Sequence, residues 1–120
     1  MERCILVVDD DAMNLKRTKI ILQNHYDILL AESGLEALEV LRSNKIDMVL
    51  LDIAMPNMNV IETFKHMREE KYDIPVVFLT ASGDENDVLD ALSLGAVNYL
   101  IKPFKPQELI KRVAKGFEKK

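Results

Sequence analysis

The chain has a single cysteine among its 120 residues, and it lacks long apolar runs. Cys4 alone cannot form an internal disulfide, and its place in the first apolar run predicts a buried, reduced thiol. No apolar stretch reaches membrane-spanning length, and the first residues lead straight into Asp9 without a cleavable export pattern. We therefore expect neither a disulfide scaffold nor a membrane protein, but a cytoplasmic one.

Long runs of one charge sign are also missing. The 20 acidic and 16 basic residues give a net charge of −4 and are mixed along the chain. Nonspecific attraction to nucleic acid needs a concentrated positive charge, so we predict no direct nucleic-acid binding. No internal repeat, low-complexity segment or linker interrupts the sequence. With 48% apolar residues, the chain fits one globular domain over residues 1–120.

Five short apolar runs alternate with longer segments of helical spacing. The runs are rich in Ile, Leu and Val without strict polar alternation, which is typical of strands buried on both faces. They cover residues 4–8, 28–31, 48–51, 76–79 and 99–101. Apolar residues recur at helical spacing after each run, at Leu15 and Leu22, Leu38 and Leu41, Phe64 and Met67, Val88 and Leu92, and Leu109 and Val113. The pattern predicts strand then helix, five times.

Helix start signals agree with this alternation. Ser33 with Glu36 and Ser82 with Glu85 have the spacing of capping boxes, Asn59 with Glu62 is a looser version, and Pro106 suits the first turn of the last helix. Parallel strands joined by helices require right-handed crossovers. The expected fold class is therefore α/β, an open parallel sheet covered by helices on both faces.

Polar residues follow four of the five predicted strands. Asp9 and Asp10 follow the first strand, Asp52 the third, Thr80 the fourth and Lys102 the fifth. If the strand order is 2-1-3-4-5, the first and third strands are neighbours and the three carboxylates converge at the switch point. Such a cluster repels itself unless it is neutralised, and Lys102 supplies only one positive charge. The excess suits a hard cation such as Mg²⁺.

A carboxylate beside a cation and an ammonium group can act as a nucleophile toward a phosphoryl donor. The product would be an acyl phosphate on that carboxylate. The hydroxyl of Thr80 could then hydrogen-bond the new group and draw its loop toward it. This chemistry is that of a switch rather than of a turnover enzyme.

Four segments of the chain resemble the signature segments of response-regulator receiver domains. They are Val7-Val8-Asp9-Asp10, Leu51-Asp52-Ile53-Ala54-Met55-Pro56, Leu79-Thr80-Ala81 and Lys102-Pro103-Phe104. The resemblance covers nearly the whole chain, and four ordered segments at strand ends are more specific than any one of them. It implies a doubly wound (βα)5 flavodoxin-like domain with strand order 2-1-3-4-5. It also implies a sensor histidine kinase, or a small acyl phosphate, as phosphoryl donor.

The resemblance also implies a role for each matching residue. Asp52 would be the phosphoacceptor, and Asp10, Asp52 and the backbone carbonyl of Ala54 would bind Mg²⁺ or Mn²⁺ directly, with Asp9 acting through water. Lys102 would contact the phosphoryl oxygens beside Thr80. The family further implies a cis peptide before Pro103 and an aromatic switch at Tyr99, for which a purely packing role is the plainer interpretation. Asp11, which lies beyond the matching pair, is better explained as a helix cap, and His25 and His66 as surface residues.

The chain departs from the family pattern after Met58. Receivers usually carry an acidic residue and then glycine there, whereas this chain has Asn59 and Val60, and a β-branched residue tolerates positive φ poorly. We therefore expect an altered loop after the third strand, which affects metal geometry and rate rather than the identity of the acceptor. Ala54 offers no side chain to orient a water, so slow hydrolysis of the phosphoryl group is expected.

Three other functions are compatible with parts of the sequence. A haloacid-dehalogenase-type phosphatase would use Asp9 as nucleophile, but the chain is short for that fold and Asp52 would go unexplained. A flavin binder would need a phosphate cradle where three carboxylates lie. An interaction module that is not phosphorylated gains some weight from Asn59 and Val60, but the intact acidic cluster opposes it.

The output of the switch is left open by the sequence. The chain fits a stand-alone receiver that docks on a protein target, and equally the front of a longer regulator with an effector domain. The positions of Thr80 and Tyr99 motivate a phosphorylation-dependent homodimer. It would form through the helix predicted between the last two strands, the fifth strand and the last helix.

Overall fold

The computed structural model describes residues 3–52, 60–70, 72–80, 92–93, 95–101 and 104–118. Strands and helices alternate along these residues as far as the fourth strand, which is followed in the described part of the chain by the fifth strand and the last helix. They are β1 (Cys4–Val8), α1 (Ala12–Leu22), β2 (Asp27–Ala31), α2 (Gly34–Ser43), β3 (Met48–Asp52), α3 (Val60–Glu69), β4 (Val76–Thr80), β5 (Asn98–Ile101) and α4 (Pro106–Glu118). Leu92 and Ser93 are helical, while the rest of the helix predicted between β4 and β5, with its capping box at Ser82 and Glu85, lies outside the described residues.

The five strands form one parallel sheet in the order β2-β1-β3-β4-β5, which confirms the predicted fold class and strand order. The central pair is β1 and β3, in which Val8 pairs with Leu51. On the other side of β3, Asp52 pairs with Leu79. Because all five strands run the same way, their carboxyl ends lie along one edge of the sheet.

Alternate residues of the strands bury their side chains on opposite faces of the sheet. The face under α2 and α3 contains Leu6, Val8, Leu51 and Phe78, together with Leu38, Leu41, Phe64 and Met67 from the helices. The face under α1 and α4 contains Ile5, Val7, Leu50 and Leu79, together with Leu15, Leu22, Leu109 and Val113. Both faces exclude water, and this is why the strands read as continuous apolar runs. The packed core therefore fixes the positions of the strand ends.

Two helix starts are fixed by side chains that the sequence predicted as caps. The Ser33 Oγ accepts a hydrogen bond from the Glu36 backbone N–H at 3.1 Å, and the Asp11 carboxylate accepts one from the Met13 N–H at 2.9 Å. Each bond satisfies a backbone donor that has no partner within its helix. The capping roles of Ser33 and Asp11 are confirmed.

Cys4 differs from the prediction, because its side chain is half-buried rather than fully buried. It begins β1 at the edge of the sheet opposite the strand ends that carry Asp9 and Asp52. Burial, followed by the nearby carboxylates of Asp27 and Asp47, raises the pKa of the thiol. The thiol is therefore a poor nucleophile. Among the described residues, no helix has the length and apolar character needed to cross a membrane.

Candidate functional site

Three carboxylates meet where the central strands of the sheet end. Asp9 and Asp10 follow β1, Asp52 is the last residue of β3, and one carboxylate oxygen from each lies within 4.8 Å of the others. The two strands are hydrogen-bonded neighbours, so the pairing of Val8 with Leu51 brings the next residues of both strands together. Within the described part of the chain, this is the one group of acidic, His or Cys side chains arranged to hold a metal ion.

The three carboxylates differ in their exposure to solvent. Asp9 and Asp52 are buried, with 2% and 3% of their surface exposed, whereas Asp10 is exposed. A buried carboxylate is costly unless hydrogen bonds or a cation compensate for lost hydration. Two buried negative charges and a third at their edge therefore form a site of concentrated negative potential. Its open side is at Asp10, which is where a solvated cation could enter.

Hydrogen bonds hold Asp9 in place. Its Oδ1 accepts a bond from the Asp11 backbone N–H at 3.0 Å, and its own backbone N–H donates to the Ala31 carbonyl at 3.1 Å. The first bond ties the acidic cluster to the cap of α1, and the second ties it to the end of β2. Asp11 itself points to the helix start and is not a member of the cluster. The cluster is thus built on fixed backbone rather than on long flexible side chains.

The geometry of the cluster fits a hard divalent cation. Oxygens bound to one Mg²⁺ at about 2.1 Å lie roughly 3 to 4 Å apart, so small side-chain rotations bring these oxygens to that spacing. All three donors are carboxylate oxygens, which Mg²⁺ and Mn²⁺ prefer over nitrogen and sulfur ligands. The acidic cluster can therefore hold such an ion, which would also relieve the repulsion between the carboxylates.

The other predicted site residues are described in part or not at all. Thr80 is the last residue of β4 and pairs with Ile101 of β5, so its backbone lies along the same edge of the sheet. Ala54 and Lys102 fall outside the described residues, as does Asn59, and their predicted roles stay predictions. Tyr99 lies in β5, half-buried, and packs against the core under α2 and α3.

One long-range contact was missed by the sequence reasoning. Arg17, an exposed residue of α1, donates a hydrogen bond from Nη2 to the backbone carbonyl of Phe104 at 3.5 Å. An exposed arginine on an amphipathic helix is ordinarily a solvated residue, so no sequence pattern singles it out. His25 and His66 are exposed, as predicted.

Comparison with known proteins gives a consistent result. The family model described as "Response regulator receiver domain" matches residues 5–114. The "Response regulator SaeR" of Staphylococcus aureus is 41% identical over 111 residues, which cover 91% of this chain and 48% of that protein. This chain therefore spans about half the length of the curated relatives it matches.

Solved structures give the same result for the fold. The receiver domain of the Francisella response regulator 1452 superposes with a TM-score of 0.88 at 30% identity, and the match covers 98% of both chains. A CheY-like receiver domain protein from Methanospirillum hungatei JF-1 superposes with a TM-score of 0.90 at 25% identity, covering 98% of this chain and 94% of that one.

Proposed function

Because the chain belongs to the response regulator receiver domain family, we propose that it accepts a phosphoryl group on Asp52 in a reaction that depends on Mg²⁺. The observation that carries the proposal is the convergence of Asp9, Asp10 and Asp52 within 4.8 Å. Asp52 is the last residue of β3, the middle strand of the sheet, and it is buried with 3% of its surface exposed. Phosphorylation there would change the surface that the domain offers to its partners.

The acceptor step is a phosphoryl transfer to a carboxylate. An Asp52 oxygen forms a bond to phosphorus while the bond from phosphorus to the donor's leaving atom breaks, and the product is an aspartyl phosphate. Mg²⁺, held by Asp10, Asp52 and the Ala54 carbonyl with Asp9 acting through water, would neutralise charge on the transferred oxygens. Lys102, the next residue in the sequence after β5, would contact those oxygens, and Thr80 would hydrogen-bond the phosphoryl group once it is attached.

The family implies a sensor kinase as the phosphoryl donor. We propose a histidine kinase in that role, with an effector domain or a separate protein as the target of the switch, all within the cytoplasm. The domain then catalyses only its own phosphorylation and dephosphorylation and turns over no external substrate.

The proposal is tested by intact mass after incubation with acetyl phosphate and Mg²⁺. The native chain should gain one phosphoryl group, and Asp52→Asn should gain none. Asp11→Asn is the matched control, because it removes a neighbouring carboxylate outside the cluster while asparagine still caps α1. This variant should be labelled like the native chain, and chelation of Mg²⁺ should abolish labelling of both.

Two results would contradict the receiver mechanism. An adduct that survives Asp52→Asn and is lost in Asp9→Asn would indicate the phosphatase chemistry with Asp9 as nucleophile. A native chain that gains no adduct would indicate a binding module that is not phosphorylated.

The active state is proposed to be a homodimer formed through β5 and the helices beside it. Ile101 of β5 is 46% exposed and the helical residue Leu92 is 39% exposed, so each of these two elements offers an exposed apolar side chain. Light scattering before and after phosphorylation tests this directly. A phosphorylated chain that stays monomeric at high concentration would remove the dimer without affecting the acceptor chemistry.

A further inference from the structure

The open cavity between α1 and the start of α4 combines apolar walls with positive charge. It has a volume of about 470 Å³, and Met13, Ile20 and Pro106 supply apolar wall. Among the described residues that line it, the two charged side chains, Lys16 and Arg17, are both basic. A cleft that has charges of one sign and walls of low dielectric constant focuses its electric field and concentrates ions of the opposite sign. The cavity should therefore attract anions.

The cavity lies beside the edge of the sheet that carries the acidic cluster. The backbone N–H of Asp11, which caps α1, donates to the Asp9 carboxylate at 3.0 Å. Lys16 and Arg17 follow within the next two turns, about 8 to 9 Å along the helix axis, and helix side chains tilt back toward the N-terminus. The Arg17 Nη2 also lies 3.5 Å from the carbonyl oxygen of Phe104, shortly after the end of β5. Both positive charges are thus placed toward the carboxyl edge.

An anion that approaches this edge meets repulsion from the acidic cluster. Three carboxylates lie there within 4.8 Å of one another. The Debye length is about 10 Å at 0.1 M ionic strength and longer in more dilute salt, so Lys16 and Arg17 act over the distance to the cluster. Both are exposed, and α1 itself contains no acidic residue that would neutralise them. They offset the repulsion on one side of the cluster.

We propose that Lys16 and Arg17 draw the anionic phosphoryl donor toward the acidic edge and so set the rate at which the donor is captured. The inference rests on the proposed function of Asp52. Because the effect is electrostatic, it acts on the second-order rate constant for the donor and weakens as salt is added. The same charges repel Mg²⁺, so their removal should slow donor capture while it strengthens Mg²⁺ binding.

The experiment measures the second-order rate constant for phosphorylation by acetyl phosphate at saturating Mg²⁺, from low ionic strength up to about 1 M salt, where the Debye length is about 3 Å. The double variant Lys16→Gln, Arg17→Gln should react about three- to tenfold more slowly at low ionic strength and at nearly the native rate at the highest salt. Calorimetry at low ionic strength should show that this variant binds Mg²⁺ about two- to fivefold more tightly.

The double variant Lys45→Gln, Lys115→Gln is the matched control, because it also removes two exposed positive charges. These residues lie toward the opposite edge of the sheet. Lys45 shortly precedes Met48, the first residue of β3, and Lys115 adjoins Gly116, which lies close to the Met48 side chain. Asp52 ends the same strand, about 13 Å away. The control should change the rate less than about twofold at every salt concentration.

Three outcomes would overturn the inference. Slowing that is equal at low and high salt would mean that Lys16 and Arg17 act through packing or hydrogen bonding rather than charge. Equal slowing in the Lys45 and Lys115 control would mean that only the net charge of the chain matters. An unchanged rate in the α1 variant, with a native chain that is labelled on Asp52, would remove this inference alone. A native chain that gains no phosphoryl group would instead remove the proposed function.

Discussion

At the scale of single residues, Gly116 shows how closely α4 approaches the sheet. A Cβ added there would lie 2.6 Å from the Met48 Cε and 3.4 Å from a Val97 methyl. Met48 is fully buried, so its end has little room to move. The absence of a side chain at Gly116 is therefore a packing requirement of the helix and the sheet.

We expect Gly116→Ala to lower the free energy of unfolding by about 1 kcal/mol. Overpacking costs about 1–3 kcal/mol, and the better helix propensity of alanine returns about 0.5–1 kcal/mol. Urea unfolding measures the change. Ala114→Gly, at an exposed position of the same helix, gives the propensity effect alone, and Met48→Leu should partly rescue Gly116→Ala. A stabilised Gly116→Ala would show that the helix lies farther from the sheet.

A second residue-scale feature is the ion pair between Arg42 of α2 and Glu70. The guanidinium donates two hydrogen bonds to the carboxylate, at 2.8 and 2.9 Å. These bonds lower the pKa of Glu70 and raise that of Arg42. A carboxyl group whose pKa is lowered on folding contributes stability above its unfolded pKa of about 4.3, and that stability is lost as the pH falls through the folded value.

Glu70→Gln should therefore lower the thermal midpoint at pH 7. At a pH below the pKa of Glu70 in the folded state, the substitution should leave the midpoint unchanged. The Arg42 side chain is 52% exposed and the Glu70 side chain 32%, so solvent screens the pair and the change at pH 7 should be a few degrees at most. Thermal melts from pH 2 to pH 7 test this, with Glu69→Gln as a control that removes a neighbouring exposed charge. A difference that persists unchanged at the lowest pH would show that the ion pair is not its cause.

At the scale of elements, the start of α2 depends on one side chain. Ser33 has extended backbone angles, and its hydroxyl accepts the Glu36 N–H. The helix then places Ala37, Leu38 and Leu41 against the core. Loss of the cap should therefore loosen the helix at the end that lies nearest to the acidic edge of the sheet.

Ser33→Ala should lower the free energy of unfolding by about 1 kcal/mol, and Ser33→Asp should retain most of the native value. Chemical unfolding followed by far-UV circular dichroism measures both. Ser43→Ala, at the exposed last residue of the same helix, is the control and should change stability little. Equal effects at the two ends of α2 would contradict a specific capping role.

At the scale of the whole molecule, the acidic cluster that the proposed reaction needs lowers the stability of the folded state. Three carboxylates within 4.8 Å repel one another in the absence of a cation, and the fold must bear that cost. A ligand that binds only the folded state stabilises it, by about 2.7 kcal/mol at 100 times its dissociation constant. Sites built for function commonly reduce stability in this way.

We expect Mg²⁺ to raise the thermal midpoint of the native chain relative to a sample in chelator. Asp10→Asn should raise the midpoint in chelator, because it removes one of the repelling charges, and should diminish the shift that Mg²⁺ produces. Differential scanning calorimetry measures both effects. Asp11→Asn should show the native Mg²⁺ shift. If it loses the shift as Asp10→Asn does, Asp11 also takes part in binding the cation, which would contradict its exclusion from the cluster.

The sequence predicted most of this architecture, because strands buried on both faces of a parallel sheet appear in the sequence as continuous apolar runs. Strand β1 was predicted with its observed bounds, and the other strands to within one residue at either end. The convergence of Asp9 and Asp52 followed from the strand order 2-1-3-4-5, which the resemblance to receiver domains implied and the sheet confirms. The capping role of Ser33 was also predicted from a local pattern, its spacing from Glu36.

Other features depend on tertiary contacts that leave no local pattern. Arg17 meets Phe104 only because α1 and α4 pack on the same face of the sheet, and an exposed arginine has no distinctive spacing. Cys4 lies in an apolar run, yet its place as the first residue of β1 leaves it half-buried. The effect of Asn59 on the loop after β3 stays a prediction.

The pairing of β1 with β3 has a further consequence for how the chain folds and unfolds. These strands are separated in sequence by α1, β2 and α2, and the cluster exists only after they have paired. A cation bound there would act as a removable cross-link between distant parts of the chain. Such a cross-link would slow the escape from the native state more than it speeds the approach to it. The resting lifetime of the folded protein would then follow the free magnesium concentration around it.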